Sequence, residues 1–134
     1  MNLASLFARC FAPFAILVAF FVVATSAPAV ARGGDGVVRS GSCSSGARWK
    51  VKVGPDNGRL EVEGEVDSNR AGQSWRWSMR HNGILVTSGS ATTAGRSGSF
   101  EVRRLMTNRA GTDTVTFYAR RPATGQSCSG VVRF

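Results

Sequence analysis

The chain has 134 residues, with 17 Lys and Arg against 8 Asp and Glu, one His, three Cys and a pI near 11.2. That length holds one domain, which excludes a multi-span membrane protein, a dinucleotide-binding unit and an enzyme that spreads several acid and base groups over a large scaffold. Aliphatic residues crowd into the first thirty positions, so the 43% hydrophobic content overstates the apolar share of the folded part.

Arg9 is the only charged side chain before position 32, and it precedes an apolar run of 14 residues, Phe11 to Ala24, broken by Pro13. A bilayer core about 30 Å thick needs about 20 apolar residues as helix. The run is short for a span, whereas a basic start, an apolar stretch and a small-residue exit describe a secretory signal. Ala29-Val30-Ala31 supplies the cleavage pattern, so residues 1–31 are expected to be removed and a secreted chain to begin at Arg32. Membrane attachment would follow only from an uncleaved segment. The mature chain keeps 16 bases and 8 acids, a net charge of +8.

Cys10 leaves with the signal, and Cys43 and Cys128 are left to pair in an oxidising compartment. Closing a loop of about 85 residues stabilises a chain by roughly 4 to 5 kcal/mol in the chain-entropy model. That is a large share of the ~5 to 15 kcal/mol typical of a small domain. No cofactor is implied, and no metal site is expected. The two cysteines and His81 make three ligands without C-x-x-C spacing, against the four of a structural zinc centre.

After a flexible lead-in at 32–36 (RGGDG), the rest of the chain, 37–134, alternates apolar and polar residues with period two between Gly, Asn, Asp and Pro punctuation. Strands are predicted at about 37–43, 47–53, 59–67, 73–81, 84–91, 98–106, 113–121 and 127–134. Seven or eight short strands in a domain of this size predict an all-β, immunoglobulin-like antiparallel sandwich.

The second strand puts Trp49, Val51 and Val53 on one face and Arg48, Lys50 and Lys52 on the other; the third puts Leu60, Val62, Gly64 and Val66 inward and Glu61, Glu63 and Glu65 outward. With Gly54 to Gly58 as the turn, Val53 is expected opposite Leu60, which aligns Lys52 with Glu61, Lys50 with Glu63 and Arg48 with Glu65. Three cations on the same carboxylates argue against a calcium patch there. Asn82-Gly83 signals a second two-residue hairpin. It would set Trp75, Trp77 and Met79 opposite Ser90, Ser88 and Val86, and leave His81 solvated beside the turn. One tryptophan is expected to pin the core; the other keeps open an aromatic platform for sugar rings. In the seventh strand Val115, Phe117 and Ala119 point inward. A Cys43–Cys128 bond would staple the first strand to the last, unlike the central bridge of antibody domains.

The segments LEVEGEVDSNRAGQSWRWSMRHNG (60–83) and SGSFEVRR (97–104), with the final Cys and its Phe-terminated strand, resemble small secreted proteins of high-GC Gram-positive bacteria. The resemblance covers nearly all of the mature chain and carries over no catalytic residue. A bias of 15 Arg to 2 Lys agrees with it.

Charge is expected to divide by face. Arg48, Lys50, Lys52 and Arg103 cancel Glu61, Glu63, Glu65 and Glu101 on one sheet, whereas the other sheet displays Arg76, Arg80, Arg120 and Arg133 around Tyr118 without an acid. Arginine grips phosphate and carboxylate bidentately, so this second face is the candidate binding site. Catalysis is not expected: a Ser nucleophile needs a base and an orienting acid within reach, and glycosidase chemistry needs two carboxylates at fixed separation. No nucleic-acid-binding signature is present, and an exported chain meets no nucleoid. The favoured partner is an anionic envelope polymer or acidic polysaccharide. The alternative is a protein partner, or the target of a secreted inhibitor, engaged by loops at one end of the sandwich. Intact-mass analysis of the secreted protein should give a chain beginning near Arg32 with no titratable thiol; retention of residues 1–31, or two free thiols, would contradict this.

Overall fold

A computed structural model of the chain describes residues 36–134. The expected signal segment, and the lead-in apart from Gly36, lie outside the described residues. Eight strands follow in order: β1 (Val37–Ser42), β2 (Arg48–Asp56), β3 (Arg59–Asp67), β4 (Ser74–His81), β5 (Ile84–Thr92), β6 (Ser99–Thr107), β7 (Thr114–Arg120) and β8 (Ser127–Arg133). They form two antiparallel four-stranded sheets, ordered β1-β2-β3-β6 and β5-β4-β7-β8. The inward faces share one core, in which Val51, Val53, Leu60, Val62 and Val66 of the first sheet meet Trp75, Trp77, Met79, Val115 and Phe117 of the second.

β1, β2 and β3 form a meander, and the chain crosses to the second sheet only after Asp67. A two-residue turn sets the β2–β3 hairpin. Asn57 and Gly58 both have positive φ, 47° and 78°, as a type I′ hairpin requires. β2 therefore runs on through Gly54, Pro55 and Asp56 instead of turning there.

This lengthened hairpin corrects the expected register by two residues: Lys50 faces Glu65, Lys52 faces Glu63 and Val53 faces Val62. A shift of two preserves every inward and outward side chain, so the faces predicted for β2 and β3 stand. Pro55 is tolerated because it faces Leu60, one step beyond the hydrogen-bonded pair that flanks a two-residue turn. Its missing N–H points away from β3, and β1 reaches only to Val53 on that side.

The β4–β5 hairpin turns at Asn82-Gly83 as expected, with φ of 48° and 82°. Its register slips by one at a bulge: Arg80 faces Leu85 but Met79 faces Thr87, leaving Val86 unpaired. Trp77 consequently lies opposite Gly89, and Trp75 opposite Ala91. Both tryptophans are core residues, so neither offers a platform to sugar rings; Trp49 is half-buried against the same core.

Large rings cross between the sheets where the facing residue has no side chain. A Cβ on Gly64 of β3 would stand 2.6 Å from the Phe117 ring of β7, and one on Gly130 of β8 would stand 2.5 Å from the Trp49 ring of β2. Cys43, just past β1, is bonded to Cys128 in β8 across 85 residues of sequence. β8 also packs on β1 and β2, so this side of the sandwich is closed by both the disulfide and the Trp49 ring. We expect Gly64→Val to cost more than the ~1 to 3 kcal/mol usual for overpacking, and Trp75→Ala about 3 to 5 kcal/mol, in chemical denaturation of the oxidised protein. Unchanged midpoints would mean that the faces are assigned the wrong way round.

Candidate functional site

Alternation in β4 and β7 turns Trp75, Trp77, Met79, Val115, Phe117 and Ala119 inward, which leaves Arg76, Ser78, Arg80, Thr116, Tyr118 and Arg120 on the outer face. The two strands pair so that Arg76 lies directly opposite Arg120, and Ser78 opposite Tyr118. Around them is a shallow cleft of about 210 Å³ lined by Arg76, Trp77, Tyr118, Arg120 and Pro122. Two guanidiniums beside an exposed phenol can grip one anionic group and stack on its carrier.

The other two predicted members stand apart from this cleft. Arg80, four residues beyond Arg76 on β4, faces Thr116 and donates from Nη1 to the Gly83 carbonyl at 3.2 Å, tethered to its own hairpin turn. Arg133 faces Thr114 at the far end of β8 and lines a separate depression with Arg39 and Val131. The predicted ring of four arginines around Tyr118 is therefore corrected to a pair with Tyr118, a neighbour along β4 and an outlier. Arg39 escaped the sequence reading because nothing local to β1 reveals that its edge meets β8.

On the outward face of the first sheet the charges meet through Lys50 and Arg103, whereas among the described residues Arg48 and Lys52 make no ion pair. Lys50 pairs with Glu65 at 2.5 Å, and Arg103 reaches Glu63 at 2.9 Å, Glu101 at 3.5 Å and Glu61 at 3.8 Å. The hydrogen bond that Lys50 donates to Glu65 raises its pKa above the ordinary value, opposed by the loss of hydration on burial and aided by the charges of Glu65, Glu101 and Glu63. By contrast, β4, β5, β7 and β8 contain no Asp or Glu.

His81 is not solvated. It is 4% exposed, and its Nε2 lies 2.5 Å from Oδ1 of Asp113, itself 1% exposed. The inward parity of β4 that buries Trp75 and Trp77 continues to His81, and the loop after β6 brings Asp113 to meet it. Asp113 Oδ2 accepts the Arg109 N–H at 3.2 Å, and its backbone exchanges two hydrogen bonds with Phe134. The pair thus ties the end of β4 to the start of β7 and to the last strand. Among the described residues no hydroxyl or thiol is hydrogen-bonded to His81. His81→Ala leaves the buried carboxylate without its partner and should cost about 3 to 5 kcal/mol, read as a lowered midpoint in urea; a shift within error would mean that water reaches Asp113 freely.

Compared with family models, with curated proteins and with solved structures, the chain has no match.

Proposed function

We propose that the protein is an exported, non-catalytic binding module of the kind its sequence resembles, and that the outer face of β4, β7 and β8 holds an anionic envelope polymer or acidic polysaccharide. With β1 set aside as an added edge strand, the order β2-β3-β6 facing β5-β4-β7-β8 follows the A-B-E and C′-C-F-G order of immunoglobulin-type sandwiches, which supports the expected likeness in strand order as well as in layering. The observation that carries this reading is the direct opposition of Arg76 and Arg120 in a sheet whose strands contain no acid. Like charges directly opposite each other in a sheet are destabilising. The first sheet avoids that cost, since its own like pair, Glu65 opposite Glu101, has Lys50 and Arg103 as counter-charges. The Arg76 and Arg120 pair has no such partner among the described residues, and an anionic ligand would supply one.

The cleft is below the ~300 to 1,000 Å³ usual for small-molecule sites, which suits one charged group of a repeating chain rather than an enclosed ligand. A second reading, a protein-binding module, draws on Ile84, Leu85 and Val86, which are 66%, 51% and 48% exposed in succession after the β4–β5 turn. Salt separates the two, since exposed charge attraction is screened whereas an apolar contact is not.

We expect Arg76→Gln with Arg120→Gln to weaken retention on immobilised teichoic acid or polygalacturonate by about tenfold or more while the melting temperature holds, because exposed single charges contribute under ~1 kcal/mol. Replacing Arg48, Lys50 and Lys52 by Gln is the control, and should matter much less. Equal losses would reduce the binding to diffuse attraction by net charge, and retention on the polymer that survives high salt would overturn the arginine grip.

A further inference from the structure

Each four-stranded sheet ends in two edge strands, and three of the four are protected. β1 and β8 pack on each other beside the Cys43–Cys128 bond. β6 carries Glu101, Arg103 and Arg104, and Arg104, opposite Val62, has the inward parity of that strand; such charges discourage a further strand. β5 lacks these devices. Its nine residues, Ile84–Thr92, include no charge and no proline. The bulge at Val86 sits close to the hairpin turn, and from Ser88 to Thr92 the strand keeps a regular register with β4. Thr93, just past β5, donates its N–H to the Gln73 carbonyl at 2.9 Å. By antiparallel alternation Ala91 and Gly89 also bond toward β4, so Ser88, Ser90 and Thr92 turn both N–H and C=O to the free edge. Among the described residues no other strand takes them up.

Donors and acceptors alternating at strand spacing match one kind of ligand, an extended peptide that adds a strand to the sheet. The side chains beside the edge narrow it further. Thr87, Gly89 and Ala91 point inward but are only half-buried, so the flank of the core is open there. The Trp77 ring covers Gly89 so closely that a Cβ on Gly89 would stand 2.9 Å from it. Arg104 lies over the same ring, its guanidinium carbon 5.0 Å from the ring centre. Arg104 is exposed, and among the described residues no carboxylate lies within ion-pair distance of it. An antiparallel strand added to β5 would pair its outward residues with Ser88 and Ser90 and turn the residue between them toward this guanidinium. We infer that β5 is a docking edge for an extended segment of a partner protein, with an acidic residue of that segment placed opposite Gly89 and beside Arg104. A second copy of this chain fits poorly. Self-pairing through β5 would offer Arg104 only Thr87, Gly89 and Ala91, and would join two strongly basic chains.

The inference rests on the second, protein-binding reading and gives it a mode and a partner chemistry; Ile84, Leu85 and Val86 extend the same strand toward its turn. It does not draw on the arginine face, whose Arg76 and Arg120 belong to β4 and β7.

The test is amide-resolved hydrogen exchange of the oxidised protein by NMR, with the end-capped peptide Thr-Val-Thr-Glu-Thr-Val-Thr as the probe. Saturating probe should slow exchange at Ser88, Ser90 and Thr92 by about tenfold or more, since these amides gain a hydrogen bond, and leave Gly89 and Ala91 little changed. A probe N-methylated at its threonines, which lacks the donors that face β5, should not bind. Changing the probe's Glu to Gln should weaken it by about two- to fivefold, and that difference should vanish in Arg104→Gln. Ser90→Pro removes an N–H that the fold itself does not use, and should abolish the protection at an unchanged melting temperature; the N-methylated probe makes the same test without altering the protein. The Arg76→Gln, Arg120→Gln protein should bind the probe unchanged, so failure of the polymer reading leaves this one standing. Equal binding of the N-methylated probe would overturn strand addition, and a Glu preference that persists in Arg104→Gln would overturn the acidic assignment. Shifts confined to Ile84, Leu85 and Val86 would keep a protein contact but overturn the docking edge, and protection of Ser88 and Ser90 by raised protein concentration alone would overturn the partner in favour of a second copy.

Discussion

The Phe117 ring lies against the bare backbone of Gly64, and the Trp49 ring against that of Gly130, each ring belonging to one sheet and its glycine to the other. These two contacts fix how the sheets face each other. No other residue type leaves room for a ring at that separation, because a single added carbon would overlap it. Once β2, β3, β7 and β8 are set by these contacts, period-two alternation decides the outward residue at every other position. The charge distribution on both surfaces is therefore a consequence of how four strands pack two rings.

Local pattern made the strands and their faces legible. All eight strands lie close to where punctuation and alternation put them, and Cys43 and Cys128 are bonded as expected. Register was less legible. Moving β2 by two residues against β3 leaves the alternation intact and still sets cations against carboxylates, so the charge ladder could not distinguish the two alignments. The Asn57-Gly58 turn could have done so, since a two-residue turn ending at Gly58 forces β2 to continue through Pro55. The bulge at Val86 left no such signal; it is explained only by the need to set Gly89 against the Trp77 ring, a contact across the pair.

The candidate site was legible where one strand pairing was enough to assemble it. Arg76, Tyr118 and Arg120 meet because β4 and β7 are neighbours and their outward parities agree. Features built by three chain segments were not. His81 looked like a turn residue because Asp113 is 32 positions away and arrives from a loop. Arg70 and Arg121 lie in connections whose composition reads as ordinary loop, and only the fold brings them to the same end of the sandwich.

All acids within the strands belong to β2, β3 and β6, so the first sheet is nearly self-neutralising and the second keeps only arginine. For stability the division is close to neutral, since exposed pairs contribute a few tenths of a kcal/mol to about one. Solubility would be served as well by any arrangement with the same net charge. What the division does produce is direction: one face whose charges largely cancel, and an opposite face that carries only arginine. Beside that face the β7–β8 loop is held by Gln126 to the Ser44 and Ser45 carbonyls and by the disulfide at Cys128. Arg120 is therefore presented from a pinned backbone, and under the proposed function less ordering entropy would be lost when an anionic ligand is gripped there.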